Sequence, residues 1–72
     1  MNALNPLSGP RPPTKEALLQ HADSLRDLAR RSRRLAATLP GESDRRRLAR
    51  HAEELDESAS RIEQEAAGAK AF

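Results

Sequence analysis

The sequence predicts an all-α fold, an antiparallel hairpin of two helices joined along a coiled-coil-like seam of leucine and alanine. The sequence contains an internal repeat of about thirty residues, in which residues 48–55 repeat the Leu, His, Ala and Leu of residues 18–25. In both units, apolar or small residues recur in alternating steps of four and three, which is the 3.5-residue period of a coiled coil. Pro40 and Gly41 separate the two units and end any continuous helix there.

The order of segments follows from the prolines and glycines. Residues 1–13 form a flexible proline-rich arm, because its four prolines remove backbone donors and block a helix. The hairpin covers residues 14–67, with a helix over 14–39, a turn at 40–42 and a second helix over 43–67. Residues 68–72 form a frayed tail that ends in Phe72.

Capping residues predict the helix ends. Thr14 is expected to cap the first helix, and Leu39 to be its last residue before Pro40. Ser43 is expected to cap the second helix, and Gly68 to end it. Because the connection is short, the two helices must be antiparallel neighbours.

Alanine at every seventh position favours close approach of two helix backbones, although alanine also favours helix for its own sake. Two helices cannot enclose a core, and we expect the flank of Leu19, Leu28 and Leu35 to stay exposed in a single hairpin. A second copy would cover it, which predicts a homodimer that forms a four-helix bundle. The predicted self-association seam consists of Leu18, Ala22, Leu25, Leu28, Ala29, Leu35, Ala36, Leu48, Ala52, Leu55, Ala59 and Ile62.

The net charge of +2 hides a strong asymmetry, because arginines gather on both sides of the turn and acids fill the second half of the second helix. This basic cluster has three interpretations: it orients a second copy, it binds the phosphates of RNA or DNA, or it is a solvated face. Arginine suits phosphate, but the sequence offers no aromatic platform for bases. The candidate anion-binding or partner-binding residues are Arg30, Arg31, Arg33, Arg34, Arg45, Arg46 and Arg47.

We expect no enzyme, since the sequence contains no nucleophile motif, glycine-rich phosphate loop or metal motif, and we expect no cofactor and no metal. His21 and His51 lie at different heights in an antiparallel hairpin and are interpreted as boundary residues. No apolar run approaches the roughly 20 residues of a membrane span, so we expect no membrane partner and a cytoplasmic protein. The predicted role is that of a small protein–protein interaction, adaptor or regulatory protein that acts through a self-associating hairpin and has a further protein partner. The alternative is an Arg-dependent RNA- or DNA-binding regulator.

Two resemblances accompany these patterns. The hairpin architecture, length and Ala/Leu seam resemble the dimeric helical-hairpin RNA-binding regulators of plasmid copy number, which implies a dimeric hairpin and carries over no residue roles. Residues 18–66 also resemble short uncharacterised helical-hairpin proteins of GC-rich proteobacteria, which implies no activity. The residues behind the second resemblance are Ala22, Arg26, Leu28, Ala29 and Arg30, followed by Arg47, Leu48, Ala52, Glu53, Glu54 and Leu55.

Overall fold

The computed structural model describes residues 13–69, which form two α-helices packed side by side. Helix α1 runs over Lys15–Ala36 and helix α2 over Glu42–Gly68. The described residues contain no strand, so the prediction of an all-α hairpin is confirmed for them. The predicted arm, apart from residue 13, and the chain end at Phe72 lie outside the described residues.

The start of α1 agrees with the sequence. Thr14 has an extended backbone, and its Oγ1 accepts a hydrogen bond from the backbone N–H of Ala17 at 3.0 Å. The Thr14 carbonyl accepts the first helical bond, from Leu18 at 3.0 Å. Glu16 places a negative charge in the first turn, where the helix dipole favours it.

The predicted end of α1 at Leu39 is wrong, because the helix ends at Ala36. The N–H of Thr38 donates to the carbonyl of Leu35 at 2.9 Å, and the N–H of Leu39 to that of Ala36 at 3.2 Å. These three-residue spacings tighten the chain into a turn. Pro40 disfavours helical backbone at Leu39, which is the residue before it, so the helix gives way ahead of the proline.

The predicted cap of α2 is also wrong. Gly41 is the cap, with φ −88° and ψ 132°, and its carbonyl accepts from the N–H of Arg45 at 3.0 Å. Ser43 therefore lies inside the first turn. Glycine is an acceptable cap residue, and Glu42 and Asp44 supply negative charge at the helix start. At its other end α2 reaches Gly68, one residue past the predicted 67.

Alanine fills the contact between the helices. Ala29 and Ala59 have no exposed surface, and the same holds for three other alanines of the two stripes. No large side chain of residues 13–69 is fully buried. The hairpin is therefore held by close backbone approach rather than by a leucine core. The buried residues are Leu18, Ala22, Ala29, Ala36, Ala52, Ala59 and Ala66.

Candidate functional site

The alanine seam leaves two long flanks, and polar side chains close one of them. We call this side the closed flank. Arg26 and Arg33 of α1 lie seven residues apart beside the alanine stripe, as do Asp56 and Glu63 of α2. Because the helices are antiparallel, the two arginines meet the two carboxylates across the seam.

Arg26 makes four hydrogen bonds to α2. Its Nε donates to Glu63 Oε2 at 2.9 Å and its Nη2 to Glu63 Oε1 at 2.7 Å, which is a bidentate pair. Its Nη1 donates to Asp56 Oδ1 at 3.2 Å, and Nη2 also reaches Ser60 Oγ at 3.2 Å. One planar guanidinium thereby spans two turns of the opposite helix and fixes the register of the hairpin.

Asp56 links the two arginines of the closed flank, since its other oxygen, Oδ2, lies 2.8 Å from Arg33 Nη2. The hydrogen bond from Arg26 lowers the pKa of Glu63 below its ordinary value, with the positive charge of Arg26 acting in the same direction. The same contact raises the pKa of Arg26, so this guanidinium stays charged.

The opposite side of the hairpin, which we call the leucine face, has no such closure by side chains of residues 13–69. Leu28 is 46% exposed and Leu35 is 55% exposed, although each directly precedes a buried alanine of α1 in the sequence. The large aliphatic side chains between these residues and the seam are only half-buried. They are Leu25, Leu39, Leu48, Leu55 and Ile62.

Two shallow grooves lie along the leucine face. His21, Leu25, Ser58, Arg61, Ile62 and Glu65 line the groove at the far end, where α1 begins and α2 ends. Leu39, Asp44, Arg47, Leu48 and His51 line the groove at the turn end, near Pro40. Both histidines thus border the apolar surface, at opposite ends of the hairpin. An apolar strip with a polar rim is the kind of surface that another helix covers.

Most of the predicted arginine cluster has partners within the chain. Arg30 and Arg31 contact Asp27, at 3.8 and 3.0 Å, and Arg46 contacts Glu42 at 2.6 Å. Arg33 belongs to the closed flank. Among residues 13–69, the guanidinium groups without an ion pair or hydrogen bond are those of Arg34, Arg47 and Arg50.

Arg45 has a structural contact that the sequence interpretation missed. Its Nη1 donates to the carbonyls of Leu39 and Pro40, both at 2.9 Å. Those carbonyls follow the end of α1 and need donors. The signal was present in the spacing, because Arg45 stands seven residues before Ala52, on the alanine stripe itself. For that reason its side chain reaches the carbonyls that follow the end of α1.

The closed flank was missed as well, although its members were all visible as charges. The signal was the seven-residue spacing of Arg26 and Arg33 directly beside alanine stripes, with carboxylates at equivalent places in α2. The flank also corrects the position of Leu19, which is 40% exposed. Leu19 lies seven residues before Arg26 and so on the closed flank, not beside Leu28 and Leu35.

Self-association remains a prediction for the residues of the proposed seam. Of that set, Leu18 and the alanines are used inside the hairpin, while the other leucines and Ile62 are left half-buried or exposed. The described residues bring no three His, Cys, Asp or Glu side chains together as a metal site. Neither α1 nor α2 is long and apolar enough to cross a membrane.

Comparison of the chain with protein-family models, with curated proteins and with solved structures found no match.

Proposed function

We propose that the chain is a small non-enzymatic interaction or adaptor protein that acts as a homodimer of helical hairpins. The observation that carries the proposal is the leucine face, where Leu28 and Leu35 are about half exposed and five further aliphatic side chains are only half-buried. A hairpin without a single fully buried large side chain gains stability by covering this surface.

A second copy has the right dimensions for the leucine face. Two neighbouring helices of about 22 residues present a surface of roughly 33 by 20 Å, or about 650 Å². Two such faces bury roughly 1,300 Å² in total, which lies within the range of stable protein–protein interfaces. The closed flank has no comparable apolar strip, because its charged groups already bind one another.

The adaptor part of the proposal places a further protein partner at the turn end. Arg34, Arg47 and Arg50 are exposed there, and their guanidinium groups have no carboxylate partner in residues 13–69. Exposed arginines favour an acidic surface, since a guanidinium binds a carboxylate through two parallel hydrogen bonds. Coverage of the leucine face by a second copy leaves Arg34 and Arg50 accessible, whereas Arg47 borders the groove at the turn end of that face.

Sedimentation equilibrium tests the dimer, with interference optics because the chain has neither Trp nor Tyr. We expect a dimer mass for the native chain. The double variant Leu28→Gln, Leu35→Gln should dissociate at least about a hundredfold more readily, because each dimer loses four partly buried leucines. The matched control is Leu19→Gln, which removes a leucine of similar exposure from the closed flank and should leave the mass unchanged. A helical monomer for the native chain would overturn the proposal.

An Arg-dependent RNA- or DNA-binding regulator is the second candidate. A depression on the outer side of α2 is lined by Ser43, Arg46, Arg47 and Arg50, which places three guanidinium groups on one helix face. Three groups on one face suit consecutive phosphates. The acids of the far end and the absence of aromatic side chains from residues 13–69 weigh against base recognition.

Nucleic-acid binding is tested with labelled single- and double-stranded probes over a range of salt concentrations. If the alternative holds, the double variant Arg47→Ala, Arg50→Ala should weaken binding and flatten its salt dependence, while Arg61→Ala at the far end should not. Arg45→Ala is unsuitable for this test, because it also removes two hydrogen bonds of the turn. Binding that does not depend on salt concentration, or that is equally weak in all variants, would reject the nucleic-acid-binding function.

A further inference from the structure

The internal repeat gives the hairpin an approximate two-fold axis. Residues i and i+30 correspond, so Leu25 matches Leu55 and Ala29 matches Ala59. The ion pairs Arg26–Glu63 and Arg33–Asp56 set an antiparallel register in which Ala29 and Ala59 lie side by side. A half-turn about an axis through this alanine pair, perpendicular to the leucine face, therefore exchanges the two helices and brings the face back onto itself.

This approximate symmetry leaves a second copy two ways to dock on the leucine face. In one arrangement α1 lies on α2 of the other copy, and both turns are at the same end of the bundle. In the other arrangement α1 lies on α1 and α2 on α2, and the turns are at opposite ends. The half-turn described above converts one arrangement into the other, so the residues shared by the two repeats pack almost equally well in both. The choice depends on the residues in which the repeats differ.

The exposed leucines are the first such difference. Leu28 corresponds to Ser58, and Leu35 corresponds to Glu65, so the exposed apolar strip belongs to α1 alone. With α1 on α2, Leu28 and Leu35 would lie against a strip of α2 that carries Asp44, His51, Ser58 and Glu65. With like helices adjacent, Leu28 meets Leu28 of the second copy, Leu35 lies toward His21 and Leu25 of the second copy, and this strip of α1 places no carboxylate against them.

Charge is the second difference, and it is independent of the first. The half of the hairpin on the turn side of the Ala29–Ala59 pair, residues 30–58, has eight arginines against six acids, a net charge of +2. The far half, residues 15–28 and 60–69, has three basic residues against five acids, a net charge of −2. Turns at the same end would set the two positive halves side by side. Turns at opposite ends set each positive half beside a negative one.

The rim of the leucine face repeats this complementarity on a smaller scale. At the turn end of α2, Asp44 and Arg47 border one groove, and at the far end Arg61 and Glu65 border the other. In an antiparallel pair of α2 helices, the groove at the turn end of one copy lies toward the groove at the far end of the other, with Arg47 directed toward Glu65 of the second copy.

We infer that the second copy docks with like helices adjacent, so that the turn of one hairpin lies at the far end of the other. The inference rests on the proposed self-association, and it adds which helices of the two copies are adjacent and how the two hairpins are oriented on the leucine face. The arrangement places one arginine-rich turn at each end of the bundle, about 40 Å apart, rather than both at one end.

Spin labels on single cysteines measure the arrangement in the full chain, which has no cysteine of its own. Ser43→Cys labels the turn end, and Glu57→Cys labels the middle of α2 on the same outer strip; both residues are exposed. With turns at opposite ends, we expect about 50 Å between Ser43 labels and about 30 Å or less between Glu57 labels.

The two labels separate the possible failures. Short distances at both positions would overturn the proposed direction while leaving the dimer intact. The absence of any inter-copy distance at either position would overturn self-association itself. A mixture of long and short Ser43 distances at low salt would show that charge and leucine placement do not select one arrangement, and would also contradict the inference.

Discussion

The two flanks of the hairpin differ in how they satisfy the side chains next to the seam. On the closed flank, Arg26 and Arg33 reach across to carboxylates of α2, and each charged group there finds a partner inside the chain. Two positions further along α1, Leu28 and Leu35 extend from the leucine face into solvent. Polar groups that pair internally determine which residues of the two helices lie opposite each other. Apolar side chains left exposed on the leucine face determine where the hairpin gains stability from a further contact.

The largest expected effect comes from the seam that both flanks share. Ala59 is fully buried, so Ala59→Leu forces the helices apart, with a loss of about 1–3 kcal/mol from overpacking. For a chain of this size that corresponds to a melting temperature lower by roughly 5–20 °C, measured by circular dichroism. Ala49→Leu is the control, because Ala49 is exposed on the same helix. Equal melting of both variants would show that the alanine stripe is not a packing surface.

A smaller effect is expected on the closed flank. Arg26→Ala leaves Glu63 without its bidentate partner and Asp56 with Arg33 alone, and should lower the melting temperature by several degrees. Arg34→Ala changes the net charge equally but removes no ion pair, so it should melt close to the native chain. The difference should shrink in about 1 M salt. If the two variants melt alike at low salt, the closed flank does not hold the register.

The smallest effect concerns pH. The folded-state pKa of Glu63 is lowered, so its stabilising contribution is complete above the unfolded value of about 4.3 and is lost as the pH falls through the folded value. The destabilisation caused by Glu63→Gln should therefore be largest near about pH 7 and vanish under more acidic conditions. Glu57 forms no ion pair within residues 13–69, so Glu57→Gln should show no such pH dependence. If the destabilisation caused by Glu63→Gln does not change with pH, it arises from the shape of the Glu63 side chain rather than from its charge.

Local rules predicted much of the fold because its signals are local. The Thr14 cap, the 3.5-residue period and the break at Pro40 each depend on residues within one or two turns. The predicted helix end at Leu39 and cap at Ser43 were wrong by three and two residues, because Pro40 and the tight turn decide these boundaries and the 3.5-residue period does not resolve them.

The site was harder to predict because it depends on which sides of two helices face each other. Arg33 belonged to the predicted basic cluster, but the register of the two helices places it on the closed flank, against Asp56. Arg45 looked like an anion-binding candidate, yet the packing of the turn directs it to the carbonyls of Leu39 and Pro40. Exposure of Leu28 and Leu35, by contrast, followed from simple geometry.

The lack of any fully buried large side chain in residues 13–69 bears on how much folded protein a cell would hold. If the leucine face is covered by a second copy, stability depends on concentration, since the folded dimer and the unfolded chain are linked by mass action. A tenfold dilution then removes about 1.4 kcal/mol from the assembly, and the unfolded fraction is exposed to proteases. The amount of active protein would rise more steeply than its rate of synthesis, so that abundance itself sets a threshold for function.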